Sequence, residues 1–228
     1  MAFPQTQGLR SHAVEDYAKA IYMLETREGG GPVSTNALAE RLDVTPGSVS
    51  AMLRKLDELG LVTHQPYRGT RLTPAGRRVA LEVIRHHRLL ELFLAEVLDM
   101  PWDRVHQEAE VLEHVLSSEL EEVIAAKLGN PTRDPHGDPI PSVDYTIDEG
   151  ETSSLADLQS GATGVFVRVS DSEPEMLRYL GERGVTPGAS FEVLDRQPFG
   201  GPLFVRFGAD VHPLGGELAQ AMRVEVSA

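Results

Sequence analysis

Residues 37–62 read ALAERLDVTPGSVSAMLRKLDELGLV, and this stretch decides the fold of the first third of the chain. Leu38, Ala39 and Leu42 recur at helical spacing behind Ser34, a residue suited to capping a helix start. Asp43-Val44-Thr45-Pro46 then turns the chain. A second helix is expected from Pro46 to Leu59, ended by Gly60, with Val49, Leu53 and Leu56 facing inward. Two short helices across a tight turn make a helix-turn-helix. Upstream, Ala13–Leu24 places Val14, Tyr17, Ala18, Ile21 and Leu24 on one helical face. Downstream, Leu61 to His64 alternate, Pro66-Tyr67-Arg68-Gly69 reads as a turn, and Thr70 to Thr73 alternate again, which predicts a two-stranded ribbon and completes a winged helix.

In such a module the second helix enters the major groove. Away from its core stripe it offers Thr45, Pro46, Ser48, Ser50, Ala51, Arg54 and Lys55, and the ribbon tip adds Tyr67 and Arg68. The short side chains allow close approach to base edges, whereas the hydroxyls and cations reach phosphates. Few long base readers are present, so part of the specificity is expected to come from DNA shape. A module that only docks another protein would use the same fold.

Charge sharpens this picture. The 228 residues carry 21 Lys+Arg against 35 Asp+Glu, a net charge of -14, which excludes a uniformly basic nucleic-acid coat. Residues 1–90 nevertheless hold 12 basic and 9 acidic groups, against 9 and 26 in the remainder. Arg54, Lys55, Arg68, Arg71, Arg77, Arg78, Arg85 and Arg88 fall in 35 residues with only three acids, Asp57, Glu58 and Glu82. This is either a local patch that faces phosphates or an arginine-rich solvated surface. The chain has no cysteine, which removes disulfides and thiolate chemistry and leaves imidazole and oxygen as the donors for any metal. No apolar run approaches the ~18 to 20 residues of a membrane span, and Met1–Arg10 lacks the apolar stretch of a secretory signal, so a cytoplasmic location is expected.

The middle of the chain predicts two long helices, Pro74 to about Leu98 and about Trp102 to Leu128, joined at Met100-Pro101. A hairpin this thin cannot bury its apolar faces alone, and a homodimer is the simplest remedy. His87 and Glu91 stand at i, i+4 on the first helix. His106, Glu110, Glu113 and His114 stand at i, i+4, i+7, i+8 on the second, all on one face. Converging imidazoles and carboxylates suit a divalent first-row metal, although solvated helix faces produce such patterns too. No HExxH is present, so this is not the zinc-protease motif.

Taken together, VEDYAKAIYML, the stretch at 37–62, YRGTRLTPAGRR, VHQEAEVLEHVLS and RDPHGDPIP resemble the diphtheria toxin repressor family of metal-dependent transcriptional repressors, in its manganese-responsive branch. The resemblance covers essentially the whole chain. It implies a multidomain α+β protein, mainly α with a β C-terminal domain: a winged helix-turn-helix over 1–76, a helical dimerisation and metal-binding domain over 77–150, and an SH3-like (FeoA-like) small barrel over 151–228. It further implies a primary, activating metal site at Asp16, Glu110, Glu113 and His114, and an ancillary site at His87, Glu91 and His106. Iron-responsive members commonly carry Met and Cys where this chain has Asp16 and Glu110. Hard carboxylates in place of sulfur favour Mn(II), with Fe(II) as the competitor. Some manganese members carry another acid one turn after Asp16; Lys19 stands there, so the resemblance implies two separated sites.

The C-terminal third shows β-prone runs at Thr163–Val169, Ser190–Leu194, Leu203–Phe207 and Met222–Val226 around a helix at Glu173–Arg183, a pattern that fits the small barrel. Family members lend ligands to the ancillary site from the start of this helix, where Asp171, Glu173 and Glu175 are the candidates; solvation of all three is the alternative. His136, in the Pro- and Gly-rich loop, reads as structural. The expected function is a Mn(II)-activated, homodimeric repressor on a palindromic operator. A metallohydrolase fused to a DNA-docking module and a winged-helix sensor of an organic ligand are the alternatives, although no further catalytic motif appears.

Overall fold

Helix signals and turn residues fix most of the chain locally. The structure, a computed structural model, describes residues 11–27, 30–65, 68–171 and 173–227. Helix α1 spans His12–Arg27, α2 Thr35–Arg41 and α3 Pro46–Glu58. Ser34 Oγ accepts from Ala37 N at the start of α2, and Thr45 Oγ1 accepts from Ser48 N at the start of α3. The turn between them depends on Asp43, which takes a left-handed φ of 50° while Val44 N reaches back to Ala39 O at 3.0 Å. Gly60, at φ 69°, ends α3 in the same manner: its N–H bonds Asp57 O at 2.9 Å, and Leu61 N bonds Leu56 O at 2.9 Å. Val14, Ala18, Ile21, Leu38, Val49, Leu53 and Leu56 are all buried. Each of the larger ones contributes about 2 kcal/mol of apolar transfer to holding the helices together.

Strands β1 (Val62–Gln65) and β2 (Gly69–Leu72) pair antiparallel, Val62 opposite Leu72 and Gln65 opposite Gly69, and form the wing. Thr70 also bridges Val33, which stitches the wing to the segment before α2. Helix α4 runs unbroken over Pro74–Leu98. Thr73 Oγ1 accepts from Gly76 N and donates to Gly60 O at its start. A Cβ on Gly76 would lie 1.9 Å from Leu61 O, so only glycine lets this turn pack against the wing.

One correction concerns the second long helix. In place of one rod from Trp102 to Leu128, the chain forms α5 (Val105–Leu112) and α6 (Ser118–Lys127). Ser117 ends the run because its backbone is extended and its Oγ accepts from Leu120 N, so it caps a new helix rather than continuing the old one.

The C-terminal region is a six-stranded antiparallel sheet in the order β3-β8-β4-β5-β6-β7. The strands are β3 Ser153–Ser154, β4 Thr163–Val169, β5 Ser190–Arg196, β6 Leu203–Phe207, β7 Asp210–Leu214 and β8 Met222–Val226, with helices α7 (Pro174–Gly181) and α8 (Gly216–Ala221). Register breaks in β4 near Phe166 and in β5 near Val193 curve the sheet around a core that includes Phe166, Val193, Leu177, Leu214 and Val224. β7 and α8 were not anticipated from the sequence.

The described residues divide into two compact units, one within Met1–His86 plus Pro141–Thr146, the other within His87–Ile140 plus Ile147–Ala228. In the second, Leu89, Leu92, Ala109, Leu116, Ile124 and Ile140 form the helical core. The same helices leave Val111, Val115, Leu120 and Val123 50 to 69% exposed, an apolar face that the single chain does not cover.

Candidate metal centre

His87 and Glu91 lie one turn apart on α4, and His106 is the second residue of α5. Helical register puts His87 and Glu91 on one face of α4, and the packing of α5 on α4 brings His106 to them. His87 Nε2 is 3.0 Å from Glu91 Oε1, His106 Nδ1 is 3.2 Å from the same oxygen, and the two imidazole nitrogens are 3.1 Å apart. Asp171, in the bend between β4 and α7, completes the group with Oδ2 3.1 Å from His106 Nδ1. Glu173 and Glu175 are exposed.

The donor set is two imidazole nitrogens and two carboxylate oxygens. An octahedral divalent ion with bonds of about 2.1 Å places adjacent donors about 3.0 Å apart, so these residues fit such an ion. Electrostatics agree. Burial alone would raise the Glu91 carboxyl, yet the His87 charge and the His106 hydrogen bond hold it well below the usual carboxylate range. Burial would lower His106, but hydrogen bonds to Asp171 and Glu91 push it up to about 10. The pocket is built to hold positive charge.

His87 also faces the other candidate ligands. Its Nδ1 is 2.5 Å from Glu113 Oε2 and 3.8 Å from Glu110 Oε1. Glu113 therefore fixes the His87 ring and leaves Nε2 turned toward Glu91 and His106, as an outer carboxylate does for a ligating histidine. Glu110 lies on α5, half out in solvent, and Glu113 is its buried C-cap. His114 follows, with Nε2 3.7 Å from Glu113 Oε1. Asp16 lies on α1, in the first unit.

Sequence reasoning missed the residues packed behind Glu91. His136 is fully buried; its Nε2 bonds Trp102 O at 2.8 Å, its ring stacks on Trp102, and its Nδ1 is 3.7 Å from Glu91 Oε2. Burial would lower its pKa, but the Glu91 and Asp134 carboxylates raise it to about 9. Asp134 Oδ1 accepts from His136 N and Asp138 N, both at 2.9 Å. The loop sits hard against β4: Val169 N bonds His136 O, and a Cβ on Gly137 would lie 1.9 Å from Val167 O. The DPHGDP signature shows a tight loop, but only tertiary structure brings it to Glu91.

Of the residues expected to meet DNA, Thr45, Pro46, Ser48, Ala51, Arg54 and Lys55 are exposed at the start of and along α3 and Ser50 is half-buried. Ser50 Oγ donates to Pro46 O, and Arg54 Nε lies along the helix against Ser50 O. Arg68 is exposed at the wing; Tyr67 lies outside the described residues. The basic run from Arg54 to Arg88 is not one surface. Arg85 and Arg88 are each 6% exposed and donate to Pro141 O and Pro139 O respectively. They serve the interior because an arginine on the buried face of α4 must satisfy its N–H groups there.

Comparisons with known proteins cover nearly the whole chain. Residues 11–70 match the family profile described as the iron dependent repressor N-terminal DNA binding domain. Residues 73–142 match the iron dependent repressor metal binding and dimerisation domain, and 153–226 match the FeoA domain. The iron-dependent repressor IdeR of Mycobacterium tuberculosis is 34% identical over 223 residues, 92% of this chain and 96% of that protein. The diphtheria toxin repressor of Corynebacterium diphtheriae is 31% identical over 221 residues, with 92% and 96% covered. A solved manganese-dependent transcriptional repressor in complex with manganese is 41% identical, covers 94% of this chain and 100% of its own, and superposes with a TM-score of 0.85.

Proposed function

The chain belongs to the diphtheria toxin repressor family of metal-dependent transcriptional repressors, and on that premise we propose that it is activated by Mn(II) to repress manganese homeostasis genes, with Fe(II) as the alternative activator. The family consists of repressors and not enzymes, which sets the hydrolase reading aside. The observation that carries the proposal is the thiol-free convergence of His87 Nε2, Glu91 Oε1, His106 Nδ1 and Asp171 Oδ2. Hard oxygen and imidazole donors suit Mn(II) better than the sulfur-containing sets that favour softer metals.

Asp16, Glu110, Glu113 and His114 are the proposed activating ligands, and His87, Glu91, His106 and Asp171 the ancillary ones. Bound there, a divalent ion supplies positive charge and directional coordination. The rest is done by the chain. Asp16 belongs to the DNA-binding part, 1–76, and Glu110, Glu113 and His114 to the dimerisation part, 77–150. Three carboxylates in one ligand set repel when unneutralised, so the metal-free dimer samples many half-site separations and binds weakly. The exposed Val111, Val115, Leu120 and Val123 form the homodimer face. Two recognition helices about 34 to 36 Å apart, or a multiple of that, read a palindromic operator. Among the described residues no helix is long and apolar enough to cross a membrane, and the proposed site of action is the cytoplasm.

The test is fluorescence anisotropy on a DNA fragment upstream of the protein's own gene or a manganese-transporter gene. Metal-stripped protein is titrated with Mn(II), Fe(II) and Zn(II), wild type beside Asp16→Ala and Glu110→Ala. Mn(II)-dependent binding lost in both variants supports the switch. Equal binding with and without metal sinks it.

A further inference from the structure

We propose that the turn before α5 and helix α7 close on each other as a clasp, Asp103 to Arg178 and Trp102 to Gly181, and that this clasp positions Asp171 against His106. It rests on the ancillary ligand set proposed above, of which His87, Glu91 and His106 stand on α4 and α5 and only Asp171 comes from the barrel. Asp103 and Arg178 are positioning residues that act through Asp171.

Neither side of the contact between Asp171 and His106 is anchored by its own helix. Arg104, at the start of α5, and Glu173, at the start of α7, make no side-chain cap hydrogen bond, so the usual local anchor is missing at both. The contact spans 3.1 Å, with the two side chains 33% and 30% exposed. Upstream of Asp171 the chain is tied down where Val169 N bonds His136 O at 3.0 Å. Downstream, the clasp does the same for α7. Its two arms lie close in the chain to the groups they serve, for Asp103 stands three residues before His106 and Arg178 seven residues after Asp171.

Arg178 Nε and Nη2 both donate to Asp103 Oδ2, at 3.2 and 3.1 Å. The Arg178 side chain is 57% exposed, and an ion pair so open to water is a light latch rather than a weld. Trp102 forms the other half. Its ring stacks on His136 and packs against the barrel core from outside the barrel. A Cβ on Gly181 would lie 2.8 Å from Trp102 Nε1. Gly181 ends α7 without a left-handed φ, so its backbone does not call for glycine, which a helix disfavours. The room it leaves for the indole accounts for it. An ion that needs Asp171 in place favours the closed clasp, and by linkage the closed clasp favours the ion by the same factor.

The test uses full-length protein carrying Asp16→Ala, which removes a proposed activating ligand. It is dialysed against buffered Mn(II) as it stands and with Arg178→Ala, Asp171→Ala, both together, or His87→Ala, and the folding of each is checked by circular dichroism. Asp171→Ala is expected to weaken Mn(II) binding about 10-fold and Arg178→Ala about 3-fold. Arg178→Ala should add nothing once Asp171 is gone, the non-additivity that marks one residue acting through another. Trp102, the one tryptophan of the chain, gives an independent signal: Mn(II) should protect it from acrylamide quenching, and the protection should vanish in Asp171→Ala. Undiminished affinity in folded Arg178→Ala, while Asp171→Ala and His87→Ala both weaken binding, overturns the clasp alone. A further 3-fold loss from Arg178→Ala in the Asp171→Ala background also overturns it and leaves a structural ion pair. Quenching that ignores Mn(II) overturns the linkage. Binding unchanged by His87→Ala shows the ancillary ligand set itself to be wrong, and the clasp falls with it.

Discussion

Arg54 on α3 and Arg88 on α4 belong to one basic run in the sequence, yet they do opposite things. Arg54 is exposed and lies along its own helix, free to meet a phosphate. Arg88 is interior, 3.7 Å from both Asp134 and Asp138, and donates to Pro139 O at 2.5 Å. A count of basic residues locates neither role. The face of the helix on which each arginine stands decides whether its charge serves DNA or the fold.

The sharpest way to break this contrast is Arg88→Ala. Removing Arg88 leaves Asp134 without its arginine partner, while Asp138 keeps Arg168 at 3.1 Å, and the expected loss is about 3 kcal/mol, read by urea unfolding of the metal-free protein. Arg85→Ala comes next: it leaves Pro141 O without its donor at a nearly buried position and costs about 1 to 3 kcal/mol in the same assay. Arg54→Ala should leave stability within about 0.5 kcal/mol of wild type, weaken operator binding and reduce the slope of log affinity against log salt by about 1. Equal destabilisation by Arg54→Ala and Arg88→Ala would erase the distinction.

A smaller effect concerns pH. His106 and His136 titrate near 10 and 9 in the folded metal-free chain, above their ordinary value of 6.5. Because the folded values are raised, the stabilisation is fully present below about pH 6.5 and is lost as pH climbs through 9 to 10. Thermal melts of metal-stripped protein should therefore fall in midpoint across that range. His136→Phe should flatten part of the decline.

Much of the fold was legible because its signals are local. Ser34, Thr45, Gly60 and Pro74 mark helix ends by backbone chemistry, and α4 begins and ends where its sequence says. The break at Ser117 is equally local, but the apolar spacing of Val115, Leu116 and Leu120 runs through it and masked the cap. β7 carries Pro213 and an exposed face on a sheet edge, so it lacks the alternation of a half-buried strand. In the candidate site, helical register put His87 and Glu91 on one face of α4 and His106 on the next helix, and it was the resemblance that grouped the three. Asp171 stood among three equivalent acids until the bend before α7 selected it. Asp134 and His136 could not be placed at all, since their meeting with Glu91 depends on how a loop docks on β4.

The absence of sulfur around Glu91 reaches beyond metal preference. A sensor that ligates through cysteine loses its ligand when peroxide converts the thiolate to a sulfenic or sulfinic acid. Imidazole and carboxylate donors offer no such first step, and among the candidate ligands of this chain none can be oxidised on that ladder. The metal response should therefore persist under oxidative stress, a condition in which a thiolate sensor stops reporting.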